Sequence, residues 1–228
     1  MKTLPFFILL ALLLASCRTM PVIKTPAPST EQINFACPAP FLKEPSRFLH
    51  TIETQMAGQT RSAVIGVTVA DPITRFISCA ILTAEGIVLF EAEASPALKV
   101  LRALPPFDSA DFAENMIEDI KLIFFAPAGK MLAKGALADG TAICRYREQN
   151  GNWIDVLARI PESIEINKYS AAGCLQRRIK LNRTEENIYQ RIELTAKEMF
   201  DYALTMTLLE VEPLDSEWTK KEAEGGGK

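Results

Sequence analysis

From residue 47 onward the chain alternates apolar and polar positions in short runs with turn residues between them. Phe48, His50 and Ile52 alternate with more polar neighbours. Residues 61–70 carry Ile65, Val67 and Val69 on one face, and residues 73–82 carry Ile77, Cys79 and Ile81 on one side. A period of two marks β-strands, because successive side chains point to opposite faces. Ala57-Gly58-Gln59, Asp71-Pro72 and Thr83-Ala84-Glu85-Gly86 read as turns, the last a hairpin loop whose glycine accepts positive φ. Residues 87–94 and 97–104 follow on either side of Ser95-Pro96, and Pro105-Pro106 stops the run. The pattern predicts a five-strand meander.

The period then changes. Phe112, Met116, Ile120, Ile123 and Phe124 recur at helical spacing, with Asp111, Glu114, Asn115, Glu118 and Asp119 facing the other way. Asp108 or Ser109 supplies an N-cap, acids occupy the first turns, and Pro127 ends the helix. Residues 128–140, rich in Gly and Ala, read as a loop. Strand signals return in residues 141–147 and 152–160 around Gln149-Asn150-Gly151, where Asn-Gly is a strong hairpin signal. Residues 163–169, 175–182, 187–196 and 202–212 complete a second β block.

These elements predict a mainly β (α+β) fold. About eleven antiparallel strands form a curved sheet or incomplete barrel, with one strong helix packed on or inside it. A meander this long must close or fold over to hide its edges. Residues 46–213 form a single domain, and residues 214–228 are a polar tail ending Gly-Gly-Gly-Lys, expected to be disordered.

Several strands are apolar on both faces. Val64 and Ile65, residues 87–90, and Leu208 and Leu209 are adjacent in sequence and must point opposite ways. One account is a two-layer core covered by the second β block. The other is a cavity for an acyl chain, lined by Ile65, Val67, Val69, Ile77, Ile81, Leu89, Leu204 and Met206 and lidded by Phe112, Met116, Ile120 and Phe124. A methionine in such a wall suits a ligand of variable shape and equally suits ordinary core packing.

The first residues set the address. Lys2 precedes an apolar run over residues 4–15, too short to span a bilayer, which needs about 20 residues, and ending in small residues. The tetrad Leu14-Ala15-Ser16-Cys17 resembles the bacterial lipobox. That resemblance implies a signal peptide over residues 1–16, a diacylglyceryl thioether on Cys17, and Cys17 as the acylated mature N-terminus. Arg18 after the cysteine implies the outer rather than the inner membrane, with the body facing the periplasm. Two or more acyl chains hold a protein stably where one does not. Residues 17–45, with Pro21, Pro26, Pro28, Pro38, Pro40 and Pro45, read as a tether, in which residues 33–42 are apolar enough to dock on the body.

Lipobox, proline tether, meander, interposed helix and second β block together resemble the LolA/LolB superfamily over about residues 46–213. The family usually begins with a helix before its first strand, and Pro38, Pro40 and Pro45 prevent a long one here. The block Arg102-Ala103-Leu104-Pro105-Pro106-Phe107-Asp108 resembles uncharacterised members of the group. The resemblance implies an eleven-stranded incomplete barrel, helices over an apolar cavity, and a role in carrying the acyl chain of a lipid or a lipidated partner. The alternative is a structural or assembly lipoprotein that docks another envelope protein without a ligand cavity.

Composition narrows the chemistry. The net charge is −3, which gives no electrostatic reason to expect nucleic acid as a partner. Besides Cys17 there are Cys37, Cys79, Cys144 and Cys174, which allow two disulfides in three connectivities; Cys79 and Cys144 also read as small buried strand residues. No Cys/His cluster suggests a metal, and no cofactor is expected. His50 is the single histidine, and no hydrolase or nucleotide signature accompanies it, so no catalytic residue and no enzyme activity are expected. Glu91/Glu93 and Glu185/Glu186 read as solvated carboxylates. Arg145, Arg147, Arg159, Arg177 and Arg178 cluster in the second β block, as a solvated face or as a site for phosphates or a partner's acids.

Overall fold

The computed structural model describes residues 20–24, 36–56, 62–160, 163–183, 189–197 and 202–215. Cys17, the expected signal peptide over residues 1–16 and the tail beyond residue 215 lie outside the described residues. Twelve strands appear in order: β1 (Ser46–Met56), β2 (Ser62–Asp71), β3 (Phe76–Leu82), β4 (Val88–Ala94), β5 (Leu98–Ala103), β6 (Lys130–Ala136), β7 (Ala142–Arg147), β8 (Trp153–Ile160), β9 (Ser163–Tyr169), β10 (Leu175–Arg183), β11 (Tyr189–Ala196) and β12 (Tyr202–Pro213). One helix, α1 (Ala110–Phe124), lies between β5 and β6.

All twelve strands belong to one open antiparallel sheet, ordered β5-β4-β3-β2-β1-β12-β11-β10-β9-β8-β7-β6. Every neighbour is a sequence neighbour except β1 and β12, which pair from Ser46↔Pro213 to Met56↔Tyr202. The two meanders are therefore joined at their outer ends. The edges that remain, β5 and β6, are linked through α1.

The sequence expectation of eleven strands falls one short, because the loop read over residues 128–140 contains β6. Its sequence, Lys-Met-Leu-Ala-Lys-Gly-Ala, has no alternation and no β-branched residue. Pairing makes it a strand: it runs against β7 from Lys130↔Arg147 to Ala136↔Ala142.

α1 begins where Ser109 Oγ accepts from the Phe112 N–H at 3.1 Å, with Asp111 in its first turn and Lys121 in its last. Phe125 turns extended and Pro127 follows, so the helix stops there. Its apolar stripe buries Ala113, Ile117, Ile120, Ile123 and Phe124.

The described N-terminal segments lie on the body. Lys24 exchanges backbone hydrogen bonds with Ala136 at 2.8 and 3.2 Å, capping the β6 edge. Gly135 is required there, since a Cβ on it would stand 2.4 Å from the Lys24 carbonyl oxygen. Arg145 donates to the Pro21 carbonyl at 2.9 Å. Cys37 is disulfide-bonded to Cys144 of β7, the Leu42 N–H donates to the Phe124 carbonyl at 2.9 Å, and Phe41 and Leu42 pack on the core. Cys144 is thus a cross-link as well as a buried strand residue. Cys174 is also a disulfide cysteine, while Cys79 is a free thiol whose pKa burial raises to about 12.

Candidate functional site

The concave face of the sheet is the natural place for a guest. Strand register fixes which side chains line it. Ala70, Ile77 and Ala94 are cross-strand partners, as are Ile81 and Phe90, and Ile166 and Ile179; all belong to the core cluster. Ile154, Val156, Leu181, Ile192, Leu194 and Met206 continue the same apolar wall. α1 lies in this trough. Phe124 stacks on Phe48 with ring centroids 4.6 Å apart, and Phe112 meets the edge of Phe90 at 5.3 Å.

Nine of the twelve residues expected around a cavity face this core. Ile77, Ile81, Ile120, Phe124 and Met206 are buried in it, and Leu89, Phe112, Met116 and Leu204 pack against it. Ile65, Val67 and Val69 do not. Val69 pairs with Arg47, whose guanidinium meets Glu212 in the open, so this row lies on the face away from α1, where Val69 is nonetheless buried. The inward row of β2 is Val64, Gly66, Thr68 and Ala70. Apolar content favoured the wrong row because the inner space is filled by β1: a Cβ on Gly66 would stand 2.5 Å from the Ile52 side chain.

The expected hollow is occupied. Phe90, Ile77, Ile166, Ile179, Leu181, Ile192 and Val156 are all fully buried, with α1 packed over them. Among the clefts of the described surface, two are small. One of about 190 Å³ is lined by Asn115, Glu118, Asp119, Lys168, Gln176 and Arg177, and is polar. The other, of about 160 Å³, lies at the β1–β12 pair beside Phe48 and Val67. Ligand pockets run to roughly 300–1,000 Å³, so neither admits an acyl chain.

α1 is tied to the trough by a buried polar cluster. Arg177 Nε donates to Asp119 Oδ1 at 2.9 Å and Arg177 Nη2 donates to Asn115 Oδ1 at 3.0 Å. Tyr202 Oη donates to Asp119 Oδ2 at 2.5 Å, and the Arg177 guanidinium lies 5.7 Å from the Tyr202 ring centroid. Burial pushes the Asp119 carboxyl above the ordinary range, against the pull of Arg177 and Tyr202. Beside it, Lys168 approaches Glu118 at 3.5 Å and Glu148 at 3.9 Å. Burial opposes the Glu118 charge, but Lys121 and Lys168 bring its carboxyl below the usual value. The sequence put Asp119 on the solvent face of α1 and grouped Arg177 with surface arginines. Its one signal was the Asn115/Asp119 spacing of four along the border of the apolar stripe.

The arginine cluster is not a free basic patch. Arg145 makes a bidentate pair with the fully buried Asp155, both contacts at 2.7 Å. Arg147 lies 4.1 Å over the Trp153 ring. Arg159 and Arg178 both reach Glu165, at 3.2 and 3.3 Å. His50 is buried beside the stacked Phe48 and Phe124 rings, and burial lowers its pKa to about 4. Among the described residues no group of three or more His, Cys, Asp or Glu converges as around a metal ion, and no helix is long and apolar enough to cross a membrane.

No family model matches the sequence, and no curated protein does. Three solved chains are similar in structure. One is a LolA superfamily protein from Nitrosomonas europaea, 11% identical, with 77% of this chain and 88% of that chain covered and a TM-score of 0.48.

Proposed function

We propose that the protein is a lipoprotein of the bacterial outer membrane, anchored through acylated Cys17, whose self-filled half-barrel docks another envelope protein. The observation that carries this reading is the packing of α1 in the trough: it covers the apolar wall that a guest chain needs, and the side chains beneath it are buried. Large apolar side chains stand exposed at both edges of the sheet: Val100, Leu101 and Leu104 at the β5 end and Met131 and Leu132 on β6 are each more than two-fifths exposed, and Ile87 in the β3–β4 turn is 56% exposed. Lys24 caps β6 at Ala136.

The second reading is an acyl-chain carrier in which α1 is a displaceable plug. It is favoured by the wall behind α1, which is apolar from β3 round to β10, and by the compact polar cluster around Asp119 and Arg177 that ties the helix to it. The two readings separate experimentally. Photocrosslinking from Leu101 in cells yields one stoichiometric protein adduct if the body docks a partner. Native mass spectrometry and uptake of a fluorescent fatty acid, on the wild type and on Arg177→Met, report the carrier. Uptake by the variant together with no discrete adduct would overturn the docking reading in favour of the plug. The anchor is read separately: intact mass and peptide mapping of the membrane-extracted protein show a diacylglyceryl thioether on Cys17. A Cys17–Cys174 disulfide peptide in its place would overturn the anchoring, because one sulfur cannot carry both.

A further inference from the structure

The two strands left at the edges of the sheet are built alike. β5 carries Lys99, Val100, Leu101 and Arg102 in succession, and β6 carries Lys130, Met131, Leu132 and, after Ala133, Lys134; both pairs of cations and the apolar residues between them are exposed. In each strand the leucine is the extra residue of a β-bulge. Val100 and Arg102 pair with Ala92 and Glu91, and Met131 and Ala133 pair with Tyr146 and Arg145, so Leu101 and Leu132 have no cross-strand partner. A bulge at an edge re-aims a side chain and interrupts the ladder.

Neither edge strand contains an acid, although the whole chain carries a net charge of −3. Glu93 and Glu91 of β4 stand opposite Lys99 and Arg102, whereas β7 offers Lys130 and Lys134 only Arg147 and Cys144. Lys24, exposed in the N-terminal strap of residues 20–24, adds a further cation beside β6. Lysines and bulges protect an edge from adding a strand, but they do not account for apolar side chains left in the open between them. An apolar pair bracketed by cations about 10 Å apart on β5 and about 13 Å apart on β6 complements a surface with apolar groups between acids. A second copy of the chain does not supply one, because edge against edge sets cations against cations. A fluid headgroup layer supplies charge without fixed spacing, whereas a protein segment supplies both.

We infer that each free edge of the half-barrel is a seat for an acidic, amphipathic segment of the partner protein, which sets apolar side chains on Leu101 or Leu132 and carboxylates on the flanking cations. This inference rests on the docking reading above and names the chemistry of the partner.

The test uses the full chain in cells, with a photoreactive amino acid in place of Leu101 or of Leu132. One variant combines R102E, K130E and K134E, and a control combines K130R and K134R. A discrete protein adduct is expected from each position, with a crosslinked partner peptide that carries Asp or Glu beside apolar residues. Charge reversal should weaken it at least about tenfold, since like charges then face each other, and the arginine control should keep it. The urea midpoint of the reversed protein shows that it is folded; if it is not, R102Q with K130Q and K134Q gives the same reading with a smaller loss. An adduct from one edge alone, an adduct undiminished by the charge changes, or a crosslinked peptide without acids overturns the inference and leaves the docking reading standing. No discrete adduct from either position overturns the docking reading and the inference with it. If the protein then sediments with phosphatidylethanolamine–phosphatidylglycerol vesicles but not with phosphatidylethanolamine–phosphatidylcholine vesicles, and charge reversal abolishes this, the edges bind anionic lipid instead.

Discussion

Arg177 on β10 donates to Asp119 on α1 at 2.9 Å while the two side chains keep only 6% and 9% of their surface exposed. The contact joins residues 58 apart in sequence and is one of the polar ties between helix and wall. Removing one partner of such a pair leaves a buried charge uncompensated and costs about 3–5 kcal/mol, whereas replacing both with apolar residues costs far less. Arg177→Met should therefore lower the urea midpoint sharply. Arg177→Met with Asp119→Leu should recover much of the loss. Equal losses in the single and double variants would show that the pair does not hold α1.

His50 makes stability depend on pH. In the folded protein its imidazole titrates at about 4 because burial disfavours the cation. The unfolded chain takes up that proton near 6.5. Between these values the unfolded state binds more protons, so stability is complete above pH 6.5 and declines as pH falls toward 4. The shift corresponds to about 3 kcal/mol at the acid end. Urea unfolding at pH 7 and at pH 4 should differ by roughly that amount in the wild type, beyond whatever the carboxylates contribute. His50→Leu should flatten the histidine part of the difference.

The Cys37–Cys144 bond spans 107 residues and pins the N-terminal segment to β7. Loss of a native disulfide in a small exported domain typically costs about 2–5 kcal/mol. Cys37→Ser with Cys144→Ser should lower Tm below that of the wild type under oxidising conditions and match the wild type only after reduction. A wild type whose Tm is insensitive to reductant would count against the cross-link.

Gly135→Ala tests the strap. The added methyl would meet the Lys24 carbonyl oxygen at 2.4 Å, a backbone atom that moves only if the strap moves. Faster tryptic cleavage after Lys24 is expected, with little change in the unfolding of the sheet. An unaltered cleavage rate would show that the strap does not depend on this close approach.

Local elements were legible where local chemistry makes them. The alternation in β1 to β5, the helical stripe from Phe112 to Phe124, the Ser109 cap and the Gly86 and Gly151 turns each follow from a few neighbouring residues. β6 was missed because nothing in its own sequence asks for a strand; its hydrogen bonds to β7 do. The faces of β2 were inverted because periodicity reports that two faces exist and leaves open which one turns inward. Gly66, Thr68 and Ala70 turn inward since Phe48, His50 and Ile52 already crowd that side.

The sequence by itself determined the mainly β class, nearly all of the described strands and the helix Ala110–Phe124, because side-chain period and turn chemistry act over a few residues. Only the tertiary structure decided that β1 closes on β12, that Cys37 meets Cys144, that Asp119 meets Arg177, and that the trough is filled by α1. Those are relations between residues far apart in the chain. They are set by how curvature and side-chain volume fit together, which no local pattern records.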